Sequence, residues 1–115
     1  MSSKKVVKEV IQTFLEADVE KALSYMAEDV NMGWPGLFDL KTGKDAIEAF
    51  LINVPEMISF DLGEFIEDGN RVVGVGRVTS RFENGEIQNS YFCDIFELEG
   101  GKVKEIKSYE ELYSF

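Results

Sequence analysis

Asp94 is the side chain in this sequence whose setting most invites chemistry. It stands in the run Asn89-Ser-Tyr-Phe-Cys-Asp-Ile-Phe-Glu-Leu98, which reads as the central strand of a sheet. Side chains alternate between the two faces of a strand, so Phe92, Asp94, Phe96 and Leu98 share one face and Tyr91, Cys93 and Ile95 the other. A carboxyl among three large apolar neighbours must find a cation or a donor, or keep its proton, because burying it ionised and unpaired costs more than holding it neutral. A neutral carboxylic acid in such a place can donate a hydrogen bond to a ligand oxygen or shuttle a proton. Cys93 has no histidine to activate it and is surrounded by acids, so it reads as packing rather than as a reactive thiol.

The composition narrows what that acid can serve. A chain of 115 residues is the length of one domain, taken here as 1–115, with room for a single core. The 22 acidic and 12 basic residues give a formal charge of -10, which argues against nucleic acid and anionic membrane partners. Lys4, Lys5 and Lys8 are followed or separated by too few apolar residues to make a signal peptide, and no run is long enough to span a bilayer. A cytoplasmic location is expected. One cysteine precludes an internal disulfide, and without histidine a metal site would need carboxylates alone. The acids Glu64, Glu67, Asp68, Glu97 and Glu99 lack the spacing of a calcium loop and read as a solvated surface, so neither metal nor cofactor is expected.

The elements that must position Asp94 follow from period. Val7, Val10, Ile11 and Phe14 predict a first helix from Ser3. Asp18 can cap a second, in which Val19, Ala22, Leu23 and Met26 repeat the spacing and which is expected to end near Glu28-Asp29. Asn31 to Gly36 reads as a short extended piece broken by Pro35, and a third helix runs from Lys44 to about Leu51. The period then changes to two. Ile58, Phe60 and Leu62 alternate until Gly63, where a bulge or bend is expected. Arg71 to Phe82 forms a long strand whose Gly74 and Gly76 permit curvature or close backbone approach. Asn84-Gly85 is a hairpin signal into the Asp94 strand, and Gly100-Gly101 turns into a last strand, Val103 to Leu112. Three helices followed by a four-strand antiparallel meander give an α+β layout.

This order, with Met26-Ala-Glu-Asp-Val30, Gly43-Lys-Asp-Ala-Ile-Glu-Ala-Phe50 and Phe96 to Val103 as its most recognisable pieces, resembles the nuclear transport factor 2-like superfamily, in its SnoaL-like branch of polyketide cyclases and ketosteroid isomerases. The resemblance implies a cone-shaped, cystatin-like fold in which three N-terminal helices pack inside a curved antiparallel sheet around an apolar pocket. It does not by itself name a reaction. Where ketosteroid isomerases carry a helix-one tyrosine and a base beside a proline, this chain has Phe14 and Trp34, and only the strand acid has a counterpart, Asp94. Limonene epoxide hydrolases use an Asp, Arg, Asp constellation. The matching places hold Thr79, Arg77 and Ser108, so only the arginine survives.

The resemblance therefore implies a small-molecule pocket protein for an apolar or cyclic ligand with a carbonyl or acidic group. Asp94, Arg77, Thr79 and Ser108 would supply polar contacts, and Phe14, Tyr25, Trp34, Phe50, Phe60, Phe92 and Phe96 the apolar lining or simply core. Asp94 is either a protonated donor or the partner of Arg77 in a buried ion pair. Two other accounts remain open: an isomerase or cyclase using Asp94 as acid, and a non-catalytic interaction module. Tyr91, Cys93 and Ile95 predict a homodimer through the back face of the sheet.

Overall fold

The computed structural model describes residues 2–113. Helix α1, Ser3–Leu15, begins where the Ser2 side chain accepts a hydrogen bond from the Lys5 N–H. It buries Val6, Val7, Val10 and Ile11, the stripe that a 3.6-residue period places on one side. Helix α2, Val19–Ser24, is capped in the same way by Asp18, which accepts from the Lys21 N–H. Strand β1, Met26–Trp34, and the two-residue β2, Phe38–Asp39, precede helix α3, Lys44–Leu51. Four long strands then follow: β3 Glu56–Asp68, β4 Arg71–Arg81, β5 Ile87–Glu99 and β6 Lys102–Tyr113.

All six strands form one open sheet in the order β2-β1-β6-β5-β4-β3. The strand of Asp94, β5, lies between β4 and β6, both antiparallel to it. The sheet is larger than the expected meander because β1 pairs with β6, in parallel, and β2 folds back on β1. The second helix accordingly stops at Ser24, well short of Glu28-Asp29. Met26, which completes a helical stripe by its spacing, is buried as the first residue of β1 and pairs with Val103. The register then shifts before Asn31 pairs with Glu105, and this irregularity breaks the two-residue alternation that would have announced the strand.

The core lies between the helices and one face of the sheet. Val7, Val10, Ile11 and Ile47 from the helices meet Val72, Phe96, Leu98, Val103 and Ile106 from the strands. Phe96 has no exposed surface; burying a ring of that size contributes about 1.5 to 3 kcal/mol. A register shift in β3 between Leu62 and Phe65 falls at Gly63, where the bulge was expected. Gly76 permits a close approach: a β-carbon there would sit 2.7 Å from the Phe92 ring and 2.8 Å from the Asp61 carbonyl oxygen. Gly74 does the same for Ile11 and Phe65, each with an atom 2.9 Å from where its β-carbon would be.

Candidate functional site

Strand pairing determines what surrounds Asp94. On β4 it faces Gly74, and on β6 it faces Ser108. Gly74 brings no side chain, and Ile11 and Phe65 occupy the space above it, so the helix side of the sheet at that point is apolar. Asp94 is 8% exposed. The Ser108 hydroxyl donates to Asp94 Oδ1 over 2.7 Å. Among the described residues no hydrogen bond reaches Oδ2, and no fully buried side-chain oxygen lacks a partner. The remaining accessible surface therefore includes Oδ2.

Burial pushes the Asp94 carboxyl up to about 7, the Ser108 bond pulls it down, and the charge of Glu110 pushes it up again. Desolvation dominates because hydrocarbon replaces the surrounding water and one hydroxyl cannot stand in for a hydration shell. The group therefore keeps its proton to near neutrality, which is the state in which a carboxyl can donate.

The ion pair between Asp94 and Arg77 is not formed. Arg77 pairs across the sheet with Tyr91, on the face opposite Asp94, and its Nη2 donates to Asp61 Oδ2 over 2.6 Å. The expectation erred by counting parity along each strand without the register: Gly74, not Arg77, shares the face of Asp94. Thr79 follows Arg77 to that outer face, where its hydroxyl donates to the Asn89 side-chain oxygen over 2.8 Å. Neither residue supplies a polar contact beside Asp94.

The expected lining residues divide. Phe14, Tyr25, Trp34, Phe50 and Phe92 are half-buried and pack against the core; Trp34 stacks on Phe38 and meets Phe50 with centroids 4.9 Å apart. Phe96 is wholly core and exposes nothing to a ligand, and Phe60 is exposed on the edge strand. Phe65, which lies beyond the break in phase at Gly63, packs over Gly74 beside Asp94. Phe65 and Leu62 line a hollow of about 320 Å3 between α1 and β3 with Lys8, Glu9, Gln12 and Gly63, and Asp94 itself is not among its lining residues. Glu110 was missed. It follows Ser108 by two residues on β6, but its side chain is exposed and lines the larger hollow rather than the smaller one, and partial burial raises its carboxyl above the usual range.

A larger hollow, about 750 Å3, is not over Asp94. Two rows of outward side chains wall most of it, Asp61, Arg77, Tyr91 and Glu111 being consecutive cross-strand partners, as are Val75, Cys93 and Tyr109, and Phe92 and Glu110 close it at the edge. The Cys93 thiol there is pushed up by burial and by Asp94, the opposite of what nucleophilic use requires. Among the described residues no group of histidine, cysteine or carboxylate side chains could hold a metal ion, and no helix is long and apolar enough to cross a membrane.

The pattern that defines the SnoaL-like domain matches residues 7–106. The chain belongs to the SnoaL-like family. Its fold is that of the nuclear transport factor 2-like superfamily: this SnoaL-like chain superposes with a TM-score of 0.84 on a protein of unknown function from Burkholderia pseudomallei, 29% identical over 96% of this chain and 92% of that one. TerC, crystallised with polyporic acid, is 26% identical over 96% and 92%, with a TM-score of 0.81. A Kribbella flavida protein provisionally named a ketosteroid isomerase shares the fold at a TM-score of 0.83 and 18% identity, over 97% and 80%. No curated protein sequence matches the chain.

Proposed function

We propose that this SnoaL-like chain binds an apolar small molecule on the helix side of the sheet, with protonated Asp94 donating a hydrogen bond to the molecule's oxygen. The observation that carries this reading is a carboxyl nine-tenths buried, bonded at one oxygen by Ser108 and uncommitted at the other. A protonated acid in an apolar site keeps its donor strength because no water competes for it. Entry is through the hollow between α1 and β3. Its volume lies at the lower end of the range for small-molecule sites, and Phe65, which covers Gly74 beside Asp94, is the side chain an incoming ligand displaces. Calorimetric titration with a panel of cyclic ketones tests the reading. Asp94→Ala should weaken binding about tenfold, the value of one charge-free hydrogen bond in a dry site; unchanged affinity rules the site out.

A carboxyl with its pKa at about 7 is also suited to general acid work, which favours a second reading as an isomerase or cyclase. Exchange of α-protons of enolisable ketones into deuterated water measures it. Equal rates for the native protein and Asp94→Asn remove the enzyme reading. The outer face is proposed to receive a second copy of the chain. Tyr91 and Tyr109 are 48% and 44% exposed beside Cys93 and Ile95, and the row holds both Arg77 and Glu111, which a two-fold partner can oppose. Sedimentation of the native protein against Tyr91→Glu tests that assembly; a native monomer contradicts it.

A further inference from the structure

We infer that Lys8 is the second polar anchor of the Asp94 site and that the ligand is an oxo acid, an apolar molecule with a carbonyl oxygen for Asp94 at one end and a carboxylate for Lys8 at the other. The inference rests on the ligand-binding reading of Asp94. Phe65, Gly74, Asp94 and Ser108 are consecutive partners across β3, β4, β5 and β6, and the Phe65 ring closes over Gly74. The Lys8 ammonium stands 5.3 Å from the centre of that ring and lines the hollow between α1 and β3. Phe65 thus links the hollow to the buried acid.

Among the described residues Lys8 makes no ion pair, because the acids around it are engaged elsewhere. Glu9, also in the hollow, meets Lys21 at 3.9 Å; Glu16 accepts from Gln12 Nε2 over 2.5 Å; Glu67 on β3 accepts from the Lys4 backbone N–H over 2.6 Å. Lys4, Lys5 and Lys8 set three positive charges on the first turns of α1 in a chain whose formal charge is -10. An anion is received here and repelled over much of the remaining surface. Taking a carboxylate draws Lys8 off the Phe65 ring, a contact that is weak where water reaches it, and frees the ring to swing away from Gly74. The carbonyl end of the same ligand then meets Asp94 at Oδ2, since Ser108 holds Oδ1. Neighbouring strands lie about 4.8 Å apart, so the two ends must span about 10 Å, the distance from β3 to β5. A rigid two-ring core provides it.

The test titrates 6-acetyl-2-naphthoate, and 2-acetylnaphthalene as the same ketone without the acid, at neutral pH into the native protein, Lys8→Gln, Lys8→Arg and Asp94→Ala. The keto acid should bind about fivefold more tightly than the ketone, the scale of one water-exposed ion pair. That gap should close in Lys8→Gln through loss of keto-acid affinity and persist in Lys8→Arg, while Asp94→Ala weakens both ligands. It should also shrink as salt is raised; a gap indifferent to salt contradicts an ion pair at Lys8. Ketone binding that depends on Asp94, with keto-acid binding no tighter or a gap unchanged in Lys8→Gln, overturns the role of Lys8 and leaves the site standing. Binding indifferent to Asp94→Ala, or no binding of either probe, overturns both.

Discussion

Ser108 and Asp94 face one another across β5 and β6, and the Ser108 hydroxyl supplies the single hydrogen bond that the Asp94 carboxyl receives from the described residues. One neutral donor compensates only part of what burial removes. The carboxyl consequently answers its surroundings by holding a proton, rather than by pairing with a cation.

Replacing Asp94 by asparagine should stabilise the protein at neutral and alkaline pH. The folded-state pKa of about 7 lies above the ordinary 3.8, so the folded state binds the proton more tightly than the unfolded one. The contribution of Asp94 to stability is whole below 3.8 and declines as pH rises through about 7. The substituted amide stays neutral throughout, so its advantage should grow across that window to at most a few kcal/mol. Denaturant melts of both proteins at several pH values measure it. A loss of stability on substitution, largest at high pH, would be the signature of a buried ion pair instead.

Arg77→Ala should change stability by no more than about 1 kcal/mol, because Arg77 and Asp61 are both well exposed and water screens their attraction. The Asp94 titration should stay where it is, since Arg77 occupies the other face. A downward pKa for Asp94 in the native protein that rises in Arg77→Ala would restore the pairing between them.

Gly76→Ala should cost about 1 to 3 kcal/mol, the usual penalty for overpacking. The added methyl meets the Phe92 ring, which can tilt, and the Asp61 carbonyl, which belongs to the neighbouring strand and cannot move alone. Thermal melts of the variant, with the intensity of near-ultraviolet dichroism as a monitor of aromatic packing, check this. A variant as stable as the native protein would mean that the strands are less tightly packed at Leu62 and Gly76 than their pairing indicates.

Much of the fold was legible in the sequence because the long strands carry strong local signals. Asn84-Gly85 turns β4 into β5 as expected, the positive-φ pair Gly100 and Gly101 leads into β6, and Gly63 sits in the β3 bulge. Strand β1 was hidden because Met26 fits either period and the register shift before Asn31 blurs the alternation of Val30 and Met32. For the site, the burial of Asp94 among Phe92, Phe96 and Leu98 followed from alternation within one strand. Its partners did not, because they depend on the register between strands: a shift by one residue exchanges Gly74 for an outward neighbour and moves Arg77 from one face to the other. Ser108 could be named only through a family likeness. Glu110, in the acidic run Glu110-Glu111, stays exposed when β6 is laid against β5, and only the register shows that it faces Phe92.

Everything proposed for the site turns on the protonation of one side chain, and a pH titration of the Asp94 carboxyl carbon by nuclear magnetic resonance reads it directly. The midpoint should lie near pH 7, with the Ser108 hydroxyl bond intact on both sides of the transition. A midpoint at 3.8 or below would mean that Asp94 is solvated or paired with a cation, and the proposed donor would be contradicted.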